Sequence, residues 1–203
     1  KLLQALRGDE TKLFCVGDDW QSIFRFAGSD MSLFYEFEKA FGYTEVCKIE
    51  TTYRFNQPII DMSSSFILKN PEQKHKSVKP ATSSKNRTYL NFYKYSSDYE
   101  DDVLRKVETI VRSIPNDETI LLLGRYNYDA VSVGFKGKVG NGDLRIKVRV
   151  AGRDIVFMSV HSAKGLESDH VILLNCNHGA HGFPSLIEDD PIEKERHNLY
   201  GNK

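Results

Sequence analysis

This sequence has no excess of positive or negative charge, few cysteines and no long apolar run. Its 203 residues carry 28 Lys and Arg against 28 Asp and Glu, so the net charge is +0 and no global basic field points to nucleic acid. DNA affinity depends on a local patch, so this balance does not exclude a DNA-binding protein. No apolar run approaches the length that crosses a membrane, and no signal peptide is recognisable. We therefore expect a cytoplasmic protein with no membrane partner.

Only three cysteines occur, Cys15, Cys47 and Cys176, and each lies in or beside an apolar run. Their spacing does not match that of metal ligands, which predicts reduced, buried thiols in a cytosolic protein and no metal site in this chain. The first residue is Lys1 rather than methionine, and residues 1–6 resemble the end of a helix. We expect the chain to be a piece of a longer protein.

The stretch around which the chain is organised is residues 13–29, LFCVGDDWQSIFRFAGS. Its first four residues are apolar and predict a short strand buried on both faces. The turn that follows lies where ligands bind in open α/β sheets. Next come the amide Gln21 and the aromatics Trp20, Phe24 and Phe26, which set a polar group for a ligand beside rings suited to stacking on bases. The residues alone also fit a strand, a turn and a buried aromatic cluster.

Strand and helix patterns alternate along the rest of the chain and predict an α/β fold with a parallel sheet. Residues 70–87 show no periodicity and predict a loop, and residues 134–142 predict a glycine-rich, hairpin-like stretch. Helices are predicted over residues 31–41 and 58–68 and from residue 98. Strands are predicted over residues 45–50, 89–95, 119–123, 144–150, 155–160 and 171–175.

The segment GDDWQSIFRFAGS closely resembles motif III of the superfamily 1 helicases of the UvrD/Rep type. The resemblance implies that Gln21 reads the terminal phosphate of ATP. It also implies that Phe24 and Phe26 stack on single-stranded DNA. Ala27 stands where many members carry an arginine, so we expect one polar DNA contact to be missing.

Tyr53 and Arg54 form a second candidate site, because an aromatic ring suits adenine and a guanidinium binds phosphate oxygens in a bidentate manner. Taken alone, TYRFNQPI also fits a helix start with a surface arginine. The segment resembles motif IV of the same helicases, which implies that Tyr53 packs on adenine and that Arg54 reaches the terminal phosphate. Thr52 and Phe55 differ from the usual asparagine and serine, so local capping contacts should differ too.

The segment VHSAKGLE, residues 160–167, is nearly identical to motif V of these helicases. The resemblance implies that His161, Ser162 and Lys164 lie along the DNA backbone. Gly165 and Glu167 would face the nucleotide, with Glu167 accepting a hydrogen bond from the ribose. Taken by itself, a histidine such as His161 is more often structural.

The segment LLLGRYN, residues 121–127, resembles motif IVa, which implies that Arg125 and Asn127 touch the DNA strand. Without the resemblance they would be a turn and a surface arginine.

Three motifs of an ATP-hydrolysing motor are absent from the sequence. No GxxxxGK[ST] loop is present to hold the phosphates, because GFKGKVG at residues 134–140 has the wrong spacing and lacks a hydroxyl after its lysine. No apolar strand ends in an Asp-Glu pair, and the arginine-bearing motif VI is missing. We therefore expect ATP and Mg²⁺ as cofactors of the intact protein, with the Mg²⁺ ligands outside this chain, and no ATP hydrolysis by the chain alone.

These motifs predict a RecA-like parallel sheet flanked by helices, the second motor domain of a helicase without its phosphate loop. Residues 1–28 would end the first motor domain, and residues 29–203 would form the second, incomplete at its C-terminus. The short interval between motifs IVa and V and the GFPS at residues 182–185 resemble the helicase IV branch. The resemblance implies an ATP-dependent 3′–5′ DNA helicase or translocase. Its partners would be single-stranded or partly duplex DNA and the first motor domain.

Other functions stay open at this level. The same motor could belong to a protein that binds and remodels RNA polymerase, which would be distinguished by long arms outside this chain. A non-catalytic nucleic-acid-binding module would lack a phosphate loop upstream, and a helicase–nuclease fusion would carry a nuclease domain downstream.

Overall fold

The computed structural model describes residues 2–8, 10–22, 32–71, 73–81, 90–96, 101–138, 144–179, 182–183 and 186. Their contacts divide the chain into an N-terminal unit, Lys1–Leu90, and a C-terminal unit, Asn91–Lys203. The domain boundary predicted after residue 28 lies outside the described residues and stays a prediction. Within the described ranges, no helix is both long and apolar enough to span a membrane.

Helices make up most of the regular structure in the described part of the N-terminal unit. Its helices are α1 (Leu2–Leu6), a 3-10 helix (Asp19–Gln21), α2 (Ser32–Tyr35), α3 (Phe37–Phe41) and α4 (Gln57–Ile67). Two short strands, β1 (Thr51–Thr52) and β2 (Lys79–Pro80), pair in parallel. The helix predicted over residues 31–41 is therefore two short helices, while α4 follows the prediction closely, with Pro58 in its first turn, where a missing N–H costs nothing.

Two predicted strands of this unit are wrong. Residues 11–18 and 44–50 have no regular structure, and Phe14 and Ile49 are 90% and 83% exposed. An apolar run becomes a buried strand only where neighbouring strands complete its hydrogen bonds, and none of the described strands pairs with either segment. The prediction of buried thiols fails as well, since all three cysteines are free but exposed.

The C-terminal unit contains the larger sheet, in the order β4-β5-β3-β6. Its elements are α5 (Asp102–Ser113), β3 (Ile120–Gly124), a 3-10 helix (Asn127–Val133), β4 (Ile146–Val150), β5 (Arg153–Ser159) and β6 (His170–Leu173). Strand β3 runs parallel to both β5 and β6, whereas β4 is antiparallel to β5. The α/β class with parallel strands is confirmed and is compatible with a RecA-like fold, but the sheet is mixed rather than wholly parallel.

Local turn chemistry explains the antiparallel pair. Ala151 and Gly152 connect β4 to β5 with φ angles of 49° and 83°, and a two-residue connection of this kind forces a hairpin. The sequence predicts a hairpin-like stretch at residues 134–142 instead, and part of that stretch lies outside the described residues. The strand predicted over residues 89–95 is also wrong, because residues 90–96 have no regular structure.

The described part of the C-terminal unit is built around one hydrophobic core. Leu122 on β3, Phe157 on β5 and Val111 on α5 are all 0% exposed and belong to the same cluster. Along β4 the buried residues alternate with exposed ones, so α5 and its neighbours cover a single face of this edge strand. The core fixes the ends of β3 and β5, where the predicted site residues lie.

Candidate nucleotide and DNA interface

Strands β3 and β5 end side by side. Gly124 is the last residue of β3 and lies opposite Ser159, the last residue of β5. The next backbone N–H, that of Val160, donates to the Gly124 carbonyl over 2.9 Å. The segments that resemble motifs IVa and V therefore leave the same edge of the sheet together, which is where open α/β sheets bind ligands.

Arg125 leaves this edge between two aromatic rings. Its guanidinium carbon lies 5.4 Å from the centroid of the Phe183 ring and 5.7 Å from that of Tyr126. The Arg125 Nε–H also donates to the Tyr126 hydroxyl over 3.5 Å, and together these contacts hold the side chain at the edge of the sheet. Asn127 begins the adjacent 3-10 helix and is half-buried.

His161 follows β5 and is electrostatically coupled to Arg125. Burial lowers the pKa of His161 below its usual 6.5, and the positive charge of Arg125 lowers it further. The imidazole is therefore neutral at pH 7, able both to donate and to accept a hydrogen bond. The structure thus brings together one residue from each of the two segments.

After β5, residues 160–165 of the motif V segment form a turn, and residues 166–168 have no regular structure. Ser162 lies close to the strand end, with its Oγ 2.9 Å from the Oγ of Ser159. Lys164, Gly165 and Glu167 are exposed, and Gly165 has a φ of +83° with nothing within 4 Å of a Cβ placed there. That open, left-handed position suits close approach of a ligand to the backbone.

Asp129 supports this edge and was missed by the sequence analysis. It is 6% exposed, and its carboxylate accepts hydrogen bonds from the Tyr126 N–H (2.9 Å) and the Asn175 amide (2.8 Å). A Cβ at Gly124 would lie 2.7 Å from the Cβ of Asp129, so only glycine fits there. In the sequence, this close approach of Asp129 to the β3 backbone is signalled only by the glycine that ends an apolar strand.

In the N-terminal unit, Gln21 lies at the end of the 3-10 helix and is exposed. Its Nε2 donates to Oδ2 of Asp18 over 2.6 Å. Asp18 also caps the helix, because Oδ1 accepts from the Trp20 N–H over 3.2 Å. A third group on this carboxylate is the ammonium of Lys76, 2.5 Å from Oδ1.

Lys76 lies in the segment predicted as a featureless loop, and it also forms an ion pair with Asp19. Asp19 is 1% exposed and accepts a hydrogen bond from the Tyr35 hydroxyl over 3.2 Å. Among the described residues its Oδ1 has no hydrogen bond of regular geometry, so the Lys76 ion pair compensates its buried charge. The Lys76 ammonium also lies 5.2 Å from the centroid of the Trp20 ring. We call Asp18, Asp19, Gln21 and Lys76 the acidic cluster.

Both charges of the Asp18–Lys76 pair are stabilised. Burial raises the pKa of Asp18, but hydrogen bonds from Lys76 and Gln21 and the lysine charge outweigh it, so the pKa lies below the usual 3.8. Burial lowers the pKa of Lys76, but the two carboxylates outweigh it, so the pKa lies above the usual 10.5. Both groups are ionised at neutral pH.

Tyr53 and Arg54 follow β1 in the same unit and are exposed, Tyr53 by 92%. An open aromatic face beside a guanidinium matches the chemistry of a nucleoside triphosphate. Gln21, Tyr53 and Arg54 lie in the N-terminal unit, while Gly165 and Glu167 lie in the C-terminal one. A nucleotide shared by all five stays a prediction.

Phe24 and Phe26 lie outside the described residues, so their stacking role also stays a prediction. In the described part of the chain, no group of three or more His, Cys, Asp or Glu side chains could hold a metal ion.

Comparison with known proteins agrees with the motifs. The family model of the UvrD/REP helicase N-terminal domain matches residues 1–42. DNA helicase IV of Escherichia coli (strain K12) is 33% identical over 214 residues, covering 98% of this chain and 29% of that protein. The putative ATP-dependent DNA helicase YjcD of Bacillus subtilis (strain 168) is 32% identical over 116 residues, covering 57% and 15%. The probable DNA helicase II homolog of Mycoplasma capricolum subsp. capricolum is 24% identical over 181 residues, covering 84% and 25%.

No solved structure matches the chain significantly. The chain spans less than a third of the length of each of these three relatives. The family match contains the segment that resembles motif III, and the identity to helicase IV runs along nearly the whole chain. The chain therefore belongs to the UvrD-like helicases, on the helicase IV branch.

Proposed function

We propose that this chain is part of an ATP-dependent 3′–5′ DNA helicase or translocase, to which it supplies half of an ATP cleft and part of a single-stranded DNA track. The observation that carries the proposal is the joint exit of the two segments after Gly124 and Ser159. Arg125 and His161 follow these two strand ends and interact electrostatically, which supports a ligand shared by the two residues at this edge of the sheet.

DNA would be held through its backbone and by stacking. Arg125 and Lys164 supply positive charge for phosphates, while the neutral His161, Ser162 and Asn127 supply hydrogen bonds. Phe24 and Phe26 would stack on bases, each contributing about 1–3 kcal/mol without sequence preference. This combination suits a protein that moves along DNA of any sequence.

ATP would meet Tyr53 through its adenine, and Gln21 and Arg54 through its terminal phosphate. The guanidinium of Arg54 would stabilise the charge that develops on the transferred phosphoryl group, an effect worth about 10³–10⁵ in rate for such arginines. By their resemblance to motif V, Gly165 and Glu167 would contact a nucleotide as well. Mg²⁺, bound by residues outside this chain, would neutralise phosphate charge.

Exposed apolar segments of the N-terminal unit support the expectation that the first motor domain is a partner. Phe14 and Val16 are 90% and 76% exposed, although their segment has the composition of a buried strand. Strands of the first motor domain would complete its hydrogen bonds and cover its side chains.

The test is the ATPase activity of the intact protein, with and without single-stranded DNA, beside that of this chain alone. We expect strong DNA stimulation in the intact protein and no activity in the chain alone. Arg54→Ala should lower kcat by about 10³-fold, whereas Arg112→Ala on the exposed face of α5 should leave it unchanged. Absence of DNA stimulation in the intact protein would reject the translocase and favour polymerase remodelling or non-catalytic binding.

A further inference from the structure

The acidic cluster restrains the side chain on which ATP sensing is proposed to depend. The Gln21 amide donates to Oδ2 of Asp18 over 2.6 Å. A carboxylate acceptor makes such a bond roughly twice as strong as a bond between neutral groups. The Gln21 amide nitrogen has two N–H donors, and because the bond of one of them to Asp18 fixes the orientation of the amide, turning the amide toward a phosphate oxygen weakens or breaks that bond.

Lys76 acts on the same carboxylate from the other side. Its ammonium lies 2.5 Å from Oδ1 of Asp18, while Gln21 uses Oδ2. The two donors compete for one negative charge, so the lysine weakens the hold on the glutamine. The Lys76 ammonium is held at this position, because it also forms an ion pair with the buried Asp19.

We propose that Asp18 and Lys76 are positioning residues for Gln21: the carboxylate holds the carboxamide nitrogen, and the ammonium sets how firmly it does so. This inference rests on the proposed ATPase function and deepens it. Neither residue touches the nucleotide in this scheme. Both act through Gln21, by setting the cost of moving its amide from Asp18 to a phosphate oxygen.

The scheme makes opposite predictions for the two residues. Asp18→Asn replaces the carboxylate with a neutral oxygen that holds Gln21 more weakly, so kcat for ATP without DNA should rise by about three- to tenfold. Lys76→Met removes the competing ammonium, so Asp18 holds the Gln21 amide more firmly and kcat should fall by a similar factor. In the double variant kcat should match that of Asp18→Asn, because Lys76 acts only through the charge of Asp18.

The experiment measures kcat and KM for ATP in the intact protein carrying each variant. Lys79→Met is the matched control: Lys79 is exposed on strand β2, three residues after Lys76, and its replacement should change neither constant. In a Gln21→Ala background, Asp18→Asn should no longer raise kcat. Thermal unfolding followed by circular dichroism checks the fold of the 203-residue chain. If Lys76→Met fails to fold because Asp19 is left unpaired, Lys76→Met combined with Asp19→Asn takes its place.

Each alternative outcome contradicts a specific statement. If Asp18→Asn and Lys76→Met both lower kcat, and their effects multiply in the double variant, the cluster is merely structural and the inference is wrong, while the proposed function stands. A rise in kcat that persists in the Gln21→Ala background would show that Asp18 does not act through Gln21. An intact protein that hydrolyses no ATP would overturn the proposed function and this inference with it.

Discussion

At the scale of single residues, the charge state of His161 depends on a neighbour from another strand end. Burial and the Arg125 guanidinium both disfavour its protonated form and lower its pKa. The native pKa lies below that of the unfolded chain, about 6.5, so the unfolded state binds more protons in acid. Above about pH 6.5 the titration of His161 therefore does not change the free energy of unfolding. As the pH falls from there through the native pKa, protonation of His161 lowers that free energy.

We expect Arg125→Gln to raise the pKa of His161, because it removes the repelling charge and keeps a polar side chain. The measurement is an NMR titration of the His161 imidazole in the 203-residue chain. Arg149→Gln is the control, since Arg149 pairs with Asp154 on the exposed side of β4 and should not affect His161. An unchanged pKa in Arg125→Gln would mean that burial alone sets it and that the two segments are not electrostatically coupled.

A second residue-scale prediction concerns Asp129. Asp129→Ala leaves the Tyr126 N–H and the Asn175 amide without an acceptor in a buried setting, which should lower the free energy of unfolding by about 2–4 kcal/mol. Chemical denaturation of the 203-residue chain measures this loss. Asp154→Ala removes only an exposed ion pair and should cost less than about 1 kcal/mol. Similar losses in the two variants would show that Asp129 does not support the site.

At the scale of elements, the β4–β5 turn depends on backbone conformation alone. Gly152 has a φ of +83° and open space around its Cβ position, so Gly152→Ala meets no clash but places an L-residue in a left-handed conformation. We expect the free energy of unfolding to fall by about 1–2 kcal/mol. Ala151→Asn should instead raise the free energy of unfolding, because asparagine tolerates the φ of 49° at that position better than alanine. Thermal denaturation of both variants checks the pair, and a neutral Gly152→Ala would argue against this turn.

The same scale shows how far the sequence predicts the fold. Helices α4 and α5 and strands β3, β5 and β6 were predicted to within a few residues, because their periodicity and their partners lie inside this chain. The predictions failed where an apolar run has no described neighbour to pair with, as in residues 13–16 and 45–50. Long-range contacts were invisible as well: Lys76 meets Asp18 across 58 positions, and no local pattern announces such a pair.

At the scale of the whole molecule, the two units differ in how much core each contains. The main cluster lies entirely in the C-terminal unit and is built around residues such as Val111, Leu122 and Phe157. In the described part of the N-terminal unit, by contrast, the only buried hydrophobic residues are Phe41 and Ile60. Burial of apolar surface is the main favourable term in folding, so the units should differ in their ability to fold alone.

We expect a fragment of residues 91–203 to unfold cooperatively by itself and a fragment of residues 1–90 to lack a cooperative transition. Thermal unfolding and amide hydrogen exchange of each fragment, compared with the 203-residue chain, provide the measurement. Slow exchange should persist in β3 and β5 of the longer fragment, because their hydrogen bonds lie in the centre of the sheet. Failure of residues 91–203 to fold alone would favour the single domain predicted from residue 29 onward. A cooperative transition in residues 1–90 would mean that its exposed apolar segments need no partner, which would remove the structural support for docking against a first motor domain.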